Sequence, residues 1–187
     1  MKSDIFSHTK EGMEEMYVKK LSMLLAVIIL SGCLLQEDDE QVNVQLFNRD
    51  GDQVGTAKFS ERKAGVHLTL EAEGLSPGFH GIHLHEKASC EAPTFQSAGN
   101  HFNPTEKEHG LLHPDGPHAG DLKNIEVKDN GKIETEMEIA DVTLRKGKAN
   151  SLTAKEGTAL IITDEADDGM TQISGDSGER IVCGKIK

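Results

Sequence analysis

From Glu86 to Asp121 the chain runs for 36 residues with little hydrophobic periodicity and much Gly, Pro, Asn and His. A structureless stretch of that length inside a compact domain needs staples, because it buries too little apolar surface to hold itself in place. The candidate staples lie in and around the stretch. Seven of the nine histidines fall between His80 and His118, and the series ends in the run His118-Ala119-Gly120-Asp121. Neutral imidazole is the commonest protein ligand for zinc and copper, and a carboxylate completes a four-coordinate zinc shell. A metal-stapled loop on a scaffold built elsewhere is the reading this pattern imposes.

The flanking sequence supplies that scaffold. Residues 42–47 alternate apolar and polar, Arg49-Asp50-Gly51-Asp52 is a hairpin turn, and 54–59 resume the alternation. Further short strands are expected over 66–72, 125–127, 133–139 and 159–162, with a turn at Asp129-Asn130-Gly131. No amphipathic helix, internal repeat or low-complexity tract interrupts them. Short strands separated by Gly, Asn and Asp predict an all-β antiparallel sandwich or barrel. Tryptophan is absent, so its core is built mainly from Val, Ile and Leu.

The amino-terminal residues are read separately. Lys19-Lys20, the apolar run 21–30 and Leu30-Ser31-Gly32-Cys33 predict an export signal over 1–32, too short to span a bilayer. The ending resembles a bacterial lipobox, which implies acylation of Cys33 and tethering to the outer face of a membrane. A plain secretory signal is the alternative, and the start of the chain reads as over-extended. Residues 33–40, with Glu37-Asp38-Asp39-Glu40, form an acidic tether, and 41–187 form one domain. Residues 1–32 hold four basic and four acidic side chains, so the net charge of −12 survives their removal. An acidic domain argues against nucleic acid as a partner. Of the remaining cysteines, Cys90 and Cys183, an exported chain makes one disulfide; free thiols or a thiolate ligand are the alternative.

In His83-Leu84-His85 two imidazoles separated by one residue point to the same face of a strand and can chelate one ion. His101, His109, His118 and Asp121 offer three nitrogens and one carboxylate, the donor set of a closed zinc site. His113 is expected to face solvent, His80 to brace the barrel loop, and His67 to lie on a strand surface; His8 belongs to the discarded segment.

With these residues assembled, the chain resembles the copper/zinc superoxide dismutase family across nearly all of 41–187. The motifs are Gly78-Phe79-His80-Gly81-Ile82-His83-Leu84-His85-Glu86, Ser97-Ala98-Gly99-Asn100-His101-Phe102-Asn103-Pro104, His109-Gly110, His118-Ala119-Gly120-Asp121-Leu122, Ala166-Asp167-Asp168 and Ser177-Gly178-Glu179-Arg180-Ile181-Val182-Cys183-Gly184. The resemblance implies an eight-stranded antiparallel Greek-key β-barrel. It implies copper on His83, His85 and His101, zinc on His101, His109, His118 and Asp121, and His101 bridging the two. It assigns Asp167 to the contact linking His83 with His109, Arg180 to attraction of the superoxide anion, and Cys90 and Cys183 to the family's disulfide.

One position departs from the pattern. Where the family has its fourth copper-ligand histidine, this chain reads Ile161-Ile162-Thr163-Asp164, and a neutral hydroxyl is a poor copper ligand beside imidazole. Water or the Asp164 carboxylate is then left to fill the position. The expectation is a superoxide dismutase with reduced activity; the alternative is a catalytically inactive, zinc-stabilised relative that holds copper or contacts another protein.

Overall fold

The structure, a computed structural model, describes residues 40–187. The expected export signal, the acylation at Cys33 and the tether up to residue 39 lie outside the described residues. Nine strands follow: β1 (Gln41–Asn48), β2 (Gln53–Arg62), β3 (Gly65–Glu73), β4 (Gly78–His80), β5 (Ile82–His85), β6 (Ile125–Val127), β7 (Lys132–Ile139), β8 (Thr158–Thr163) and β9 (Arg180–Ile186). Seven pair in the order β5-β8-β9-β1-β2-β3-β7, and β4 pairs with β6, every ladder being antiparallel. The sheet curls into the expected Greek-key barrel. Its eight strands become nine because Gly81 splits the one ahead of the metal loop into β4 and β5.

Alternation decides which side chains enter the core. On β1, Val44 and Leu46 are buried between exposed Asn43 and Gln45, and on β3 the inward set is Val66, Leu68, Leu70 and Ala72. The β1–β2 turn closes on Asn48, whose Oδ1 accepts from the backbone N–H of Asp50 and Asp52. Two strands were not anticipated. The three-residue β4 leaves Phe79 exposed and offers no alternation to read, while β9 lies within a stretch dominated by the Arg180 and Cys183 motif.

Strands covered on both faces carry the site. All six residues of β8 are buried. Leu160 and Ile162 join the main core, whereas Ala159 and Ile161 face the other way and pack with Phe95, Ala98 and Cys183. The same division holds on β5, where Ile82 and Leu84 enter the core and leave His83 and His85 on the opposite face. The 86–121 stretch folds over that face. Leu84 N–H donates to Gly120 O and Phe102 N–H to Leu84 O, while Glu86 N–H donates to Asn100 O.

A bond between Cys90 and Cys183, 93 positions apart, fastens the start of the stretch to β9. Cross-linking so long a loop stabilises a fold by on the order of 4 kcal/mol in the chain-entropy picture. Cys90→Ser is therefore expected to lower the unfolding free energy by that amount, read from urea unfolding of the wild type and variant under identical metal loading.

Candidate metal centre

Strand pairing brings the histidines together. Asp121 lies opposite His83, and His101 opposite His85, as single antiparallel bridges from the loop to β5. The His83 and His101 rings stack at 4.1 Å, and His101 stands 4.9 Å from His85 and 5.1 Å from His109. Two donor groups result: His101, His109, His118 and Asp121, and His83, His85 and His101. Within each group all donor atoms lie within 4.8 Å of one another. His101 belongs to both.

In the first group three Nδ1 atoms converge on one oxygen. Asp121 Oδ1 is 2.8 Å from His101, 3.1 Å from His109 and 3.2 Å from His118, while Asp121 Oδ2 accepts from the N–H of Gly110 and of His118. The other nitrogen of His109, Nε2, meets the Asp167 carboxylate at 3.1–3.2 Å. A neutral imidazole has one N–H. Once His109 gives it to Asp167, its Nδ1 lone pair faces a carboxylate, an arrangement that a cation between the two atoms turns from repulsive to attractive. Three nitrogens and one carboxylate fit zinc. Burial works to raise the Asp121 pKa, but hydrogen bonds from His101 and the Gly110 N–H outweigh it and keep the carboxylate ionised far below the usual range.

In the second group each ring keeps one nitrogen in reserve. His83 Nε2 is 2.6 Å from Asp167 Oδ2, leaving Nδ1 as the only buried side-chain nitrogen or oxygen without a hydrogen-bond partner among the described residues. His85 donates from Nδ1 to Gly99 O at 3.0 Å and keeps Nε2 free. His101 directs Nδ1 at Asp121 and keeps Nε2. An orphaned imidazole nitrogen among two more suits a copper ion, whose preferences include imidazole. Arg180 lies alongside, donating to Phe95 O and to the same Gly99 O that His85 uses, each at 2.9 Å. Burial lowers its pKa from the ordinary value, but a guanidinium stays a cation.

Thr163 closes this pocket without offering a ligand. Its side chain is buried, and the hydroxyl donates to the carbonyls of Gly81 at 3.2 Å and Glu165 at 3.1 Å. A Cβ on Gly81 would stand 2.5 Å from Thr163 Oγ1 and 3.0 Å from His83 Cε1, so residue 81 has room only for hydrogen. Asp164, weighed as a replacement ligand, accepts the Glu179 N–H with Oδ1 and is exposed to solvent. Its carboxylate is committed to the loop.

Burial holds His101 down at about 4 despite the adjacent Asp121 carboxylate, and burial together with the charges of His101 and Arg180 pushes His85 well below its ordinary value. Both rings are thus neutral and ready to ligate at pH 7. The unfolded His101 titrates near 6.5, so the unfolded chain binds more protons between about 6.5 and 4. The metal-free domain should keep its stability above pH 6.5. It should lose on the order of 3 kcal/mol through His101 alone as the pH falls to 4, measured by urea titrations across that range.

Asp167 is held by Asn124, which donates to Asp167 O and accepts from Asp167 N–H at 2.8 and 2.9 Å. Asn124, Gly99 and Gln172, which caps His109, escaped sequence reading, because an amide in a loop and a backbone carbonyl carry no signature of chemistry. His113 stays outside both donor groups; its Nδ1 accepts from Asp115 N–H. His80 is buried, with Nδ1 2.7 Å from Thr163 O and Nε2 2.8 Å from Ser76 O, and His67 meets Glu138 on the outer sheet face at 2.7 Å.

A family model described as copper/zinc superoxide dismutase matches residues 53–186. The chain is 42% identical to Superoxide dismutase [Cu-Zn] 2 of Aquifex aeolicus over 171 residues, covering 91% of this chain and all of that one. It is 45% identical over 146 residues to Superoxide dismutase-like protein YojM of Bacillus subtilis, covering 77% of this chain and 74% of the relative. Among solved structures, a SOD-like protein from Bacillus subtilis superposes with a TM-score of 0.76 at 44% identity, over 78% of this chain and 97% of that chain. Cu/Zn superoxide dismutase from Brucella abortus superposes with a TM-score of 0.65 at 27% identity, over 79% of this chain and all of that one.

Proposed function

The chain belongs to the copper/zinc superoxide dismutase family, and from that premise we propose that it dismutates superoxide to oxygen and hydrogen peroxide outside the cell, at a rate limited by Thr163. The observation that carries the reading is the trio of buried imidazoles, each with one nitrogen free, beside a fixed guanidinium. Copper held by His83 Nδ1, His85 Nε2 and His101 Nε2 would supply the one-electron chemistry, oxidising one superoxide and reducing the next. Zinc would be held by His101, His109, His118 and Asp121. Asp167 fixes which nitrogen of His83 is free, and Gly99 O does the same for His85. His101 Nε2, the nitrogen not directed at Asp121, would hold a proton there and pass it to the reduced product.

Arg180 draws the anion in. The domain is otherwise acidic, and the loop from Asp164 to Glu179 holds no lysine or arginine. Arg180 is the guanidinium that lies beside the copper group, and local positive potential raises association rates by roughly 10–1000-fold. Arg180→Ala is expected to lower kcat/KM about tenfold at low salt with metal content unchanged, and Arg180→Lys to recover part of the loss. An unchanged rate in Arg180→Ala would remove steering from the account.

The deciding experiment is superoxide decay by pulse radiolysis on protein loaded with one zinc and one copper per chain, both counted on the same sample. Catalysis well above free copper supports the dismutase. Catalysis equal to free copper with zinc retained supports the second reading, a zinc-stapled relative that holds copper or contacts a protein, which the committed hydroxyl of Thr163 favours. The proposed site of action rests on Lys19-Lys20, the apolar run and Cys33 in the sequence. Cys33→Ser should move the expressed protein from the membrane fraction to the soluble one.

A further inference from the structure

We propose that Gln172 is a positioning residue that fixes the zinc ligand His109 through its main chain, an inference that rests on the zinc reading above. Both loops around the metal groups lack regular structure at this point, so the backbone of His109 has no ladder to hold it. Gln172 supplies the missing partners. Its Oε1 accepts from His109 N–H at 3.0 Å, and its Nε2 donates to His109 O at 2.9 Å and to Met170 O at 3.1 Å. A side-chain amide carries the donor and acceptor of a peptide group, so the pair of bonds reproduces the exchange between paired strand residues.

Two further contacts make this a clamp between loops. Leu112 N–H donates to Gly169 O at 3.0 Å, and Gly110 and Gly169 approach so closely that a Cβ on Gly110 would overlap Gly169 O. The segment that carries Gln172 also carries Asp167, whose carboxylate meets His109 Nε2. Backbone and ring of His109 are thus held from one loop, Gln172 setting where the residue sits and Asp167 how its imidazole turns. Nδ1 is then left aimed at Asp121 Oδ1.

Gln172 is itself exposed, so a substitution there leaves the barrel core untouched. Gln172→Met keeps length without the hydrogen bonds. Gln172→Glu keeps the acceptor for His109 N–H and sets a second oxygen against His109 O. Zinc release to a strong chelator from the full zinc-loaded chain should be about tenfold faster in both, the lower end of what outer-shell partners contribute. Cobalt(II) placed in the zinc position should show shifted visible bands in both variants, because the geometry at His109 relaxes. Ile173→Ala, at an exposed neighbour, should behave as wild type.

Wild-type release rates and cobalt bands in both variants would overturn the positioning role while leaving the zinc site intact. Faster release with unchanged cobalt bands would reduce Gln172 to a general loop brace and overturn it too. A wild-type protein that takes up no zinc would overturn the zinc reading itself, and the role of Gln172 would fall with it.

Discussion

Thr163→His is expected to raise copper affinity by more than the roughly 10–100-fold that outer-shell groups contribute to metal sites, and to raise superoxide turnover with it. Three imidazoles with one free nitrogen each already face the copper position, and residue 163 ends β8 beside them. If His101 leaves during the cycle, two protein ligands remain in this chain and three in the variant. The substitution has a cost. The carbonyls of Gly81 and Glu165 lose the Thr163 hydroxyl, and a larger side chain enters a buried position, which should lower metal-free stability by about 1–3 kcal/mol. The backbone pairing survives, since Thr163 N–H still donates to Gly81 O and His80 still reaches the carbonyl of residue 163. Competition with a copper(I) chelator, urea unfolding and pulse radiolysis read the three effects separately. A copper affinity and turnover equal to wild type would mean that the missing ligand is not what limits this chain.

The ligand residues could be gathered from the sequence because each belongs to a short motif whose spacing has a geometric meaning. His83 and His85 share a face because a strand repeats every two residues, and the structure places them on the face of β5 that Ile82 and Leu84 leave free. Strands with clean alternation, such as β1 and β3, were legible for the same reason. β4 and β9 were harder, since three residues around an exposed Phe79 show no period and the apolar run of β9 overlaps a site motif. What stayed hidden was the second tier: Asn124 on the backbone of Asp167, Gly99 O shared by His85 and Arg180, and Gln172 on the backbone of His109. These act through main-chain atoms that every residue possesses, so residue type alone carries no trace of them. Asp164 shows the converse. A carboxylate next to Thr163 reads as a substitute ligand, yet the loop after it needs an acceptor for Glu179 N–H.

Asp121→Ala should cost the domain its zinc and much of its stability. Asp121 gathers the Nδ1 atoms of three histidines and takes backbone bonds from Gly110 and His118, so the 101–121 segment is organised around one carboxylate. Without the charge, a zinc ion would meet three imidazoles and no anion, and its binding would no longer offset the entropy of ordering that segment. Zinc present at a thousand times its dissociation constant stabilises the folded state by about 4 kcal/mol. For a domain of this size that corresponds to roughly 8–16 °C in Tm. Chelator treatment of the wild type should produce a fall of that size, whereas Asp121→Ala should begin at the lower Tm and hardly respond to chelator. Asp121→Asn, which keeps an oxygen in place but not the charge, should fall between them. The loss should also reach the copper side. His101 belongs to both donor groups, and the Asp167 carboxylate that orients His83 also holds His109. Once His109 is free to move, Asp167 loses one of its two histidine partners, and the His83 Nδ1 it keeps free is less firmly aimed. Copper affinity in Asp121→Ala should therefore drop although none of His83, His85 and His101 has changed. A variant that keeps full copper affinity after losing zinc would show that the two groups are neighbours without being coupled.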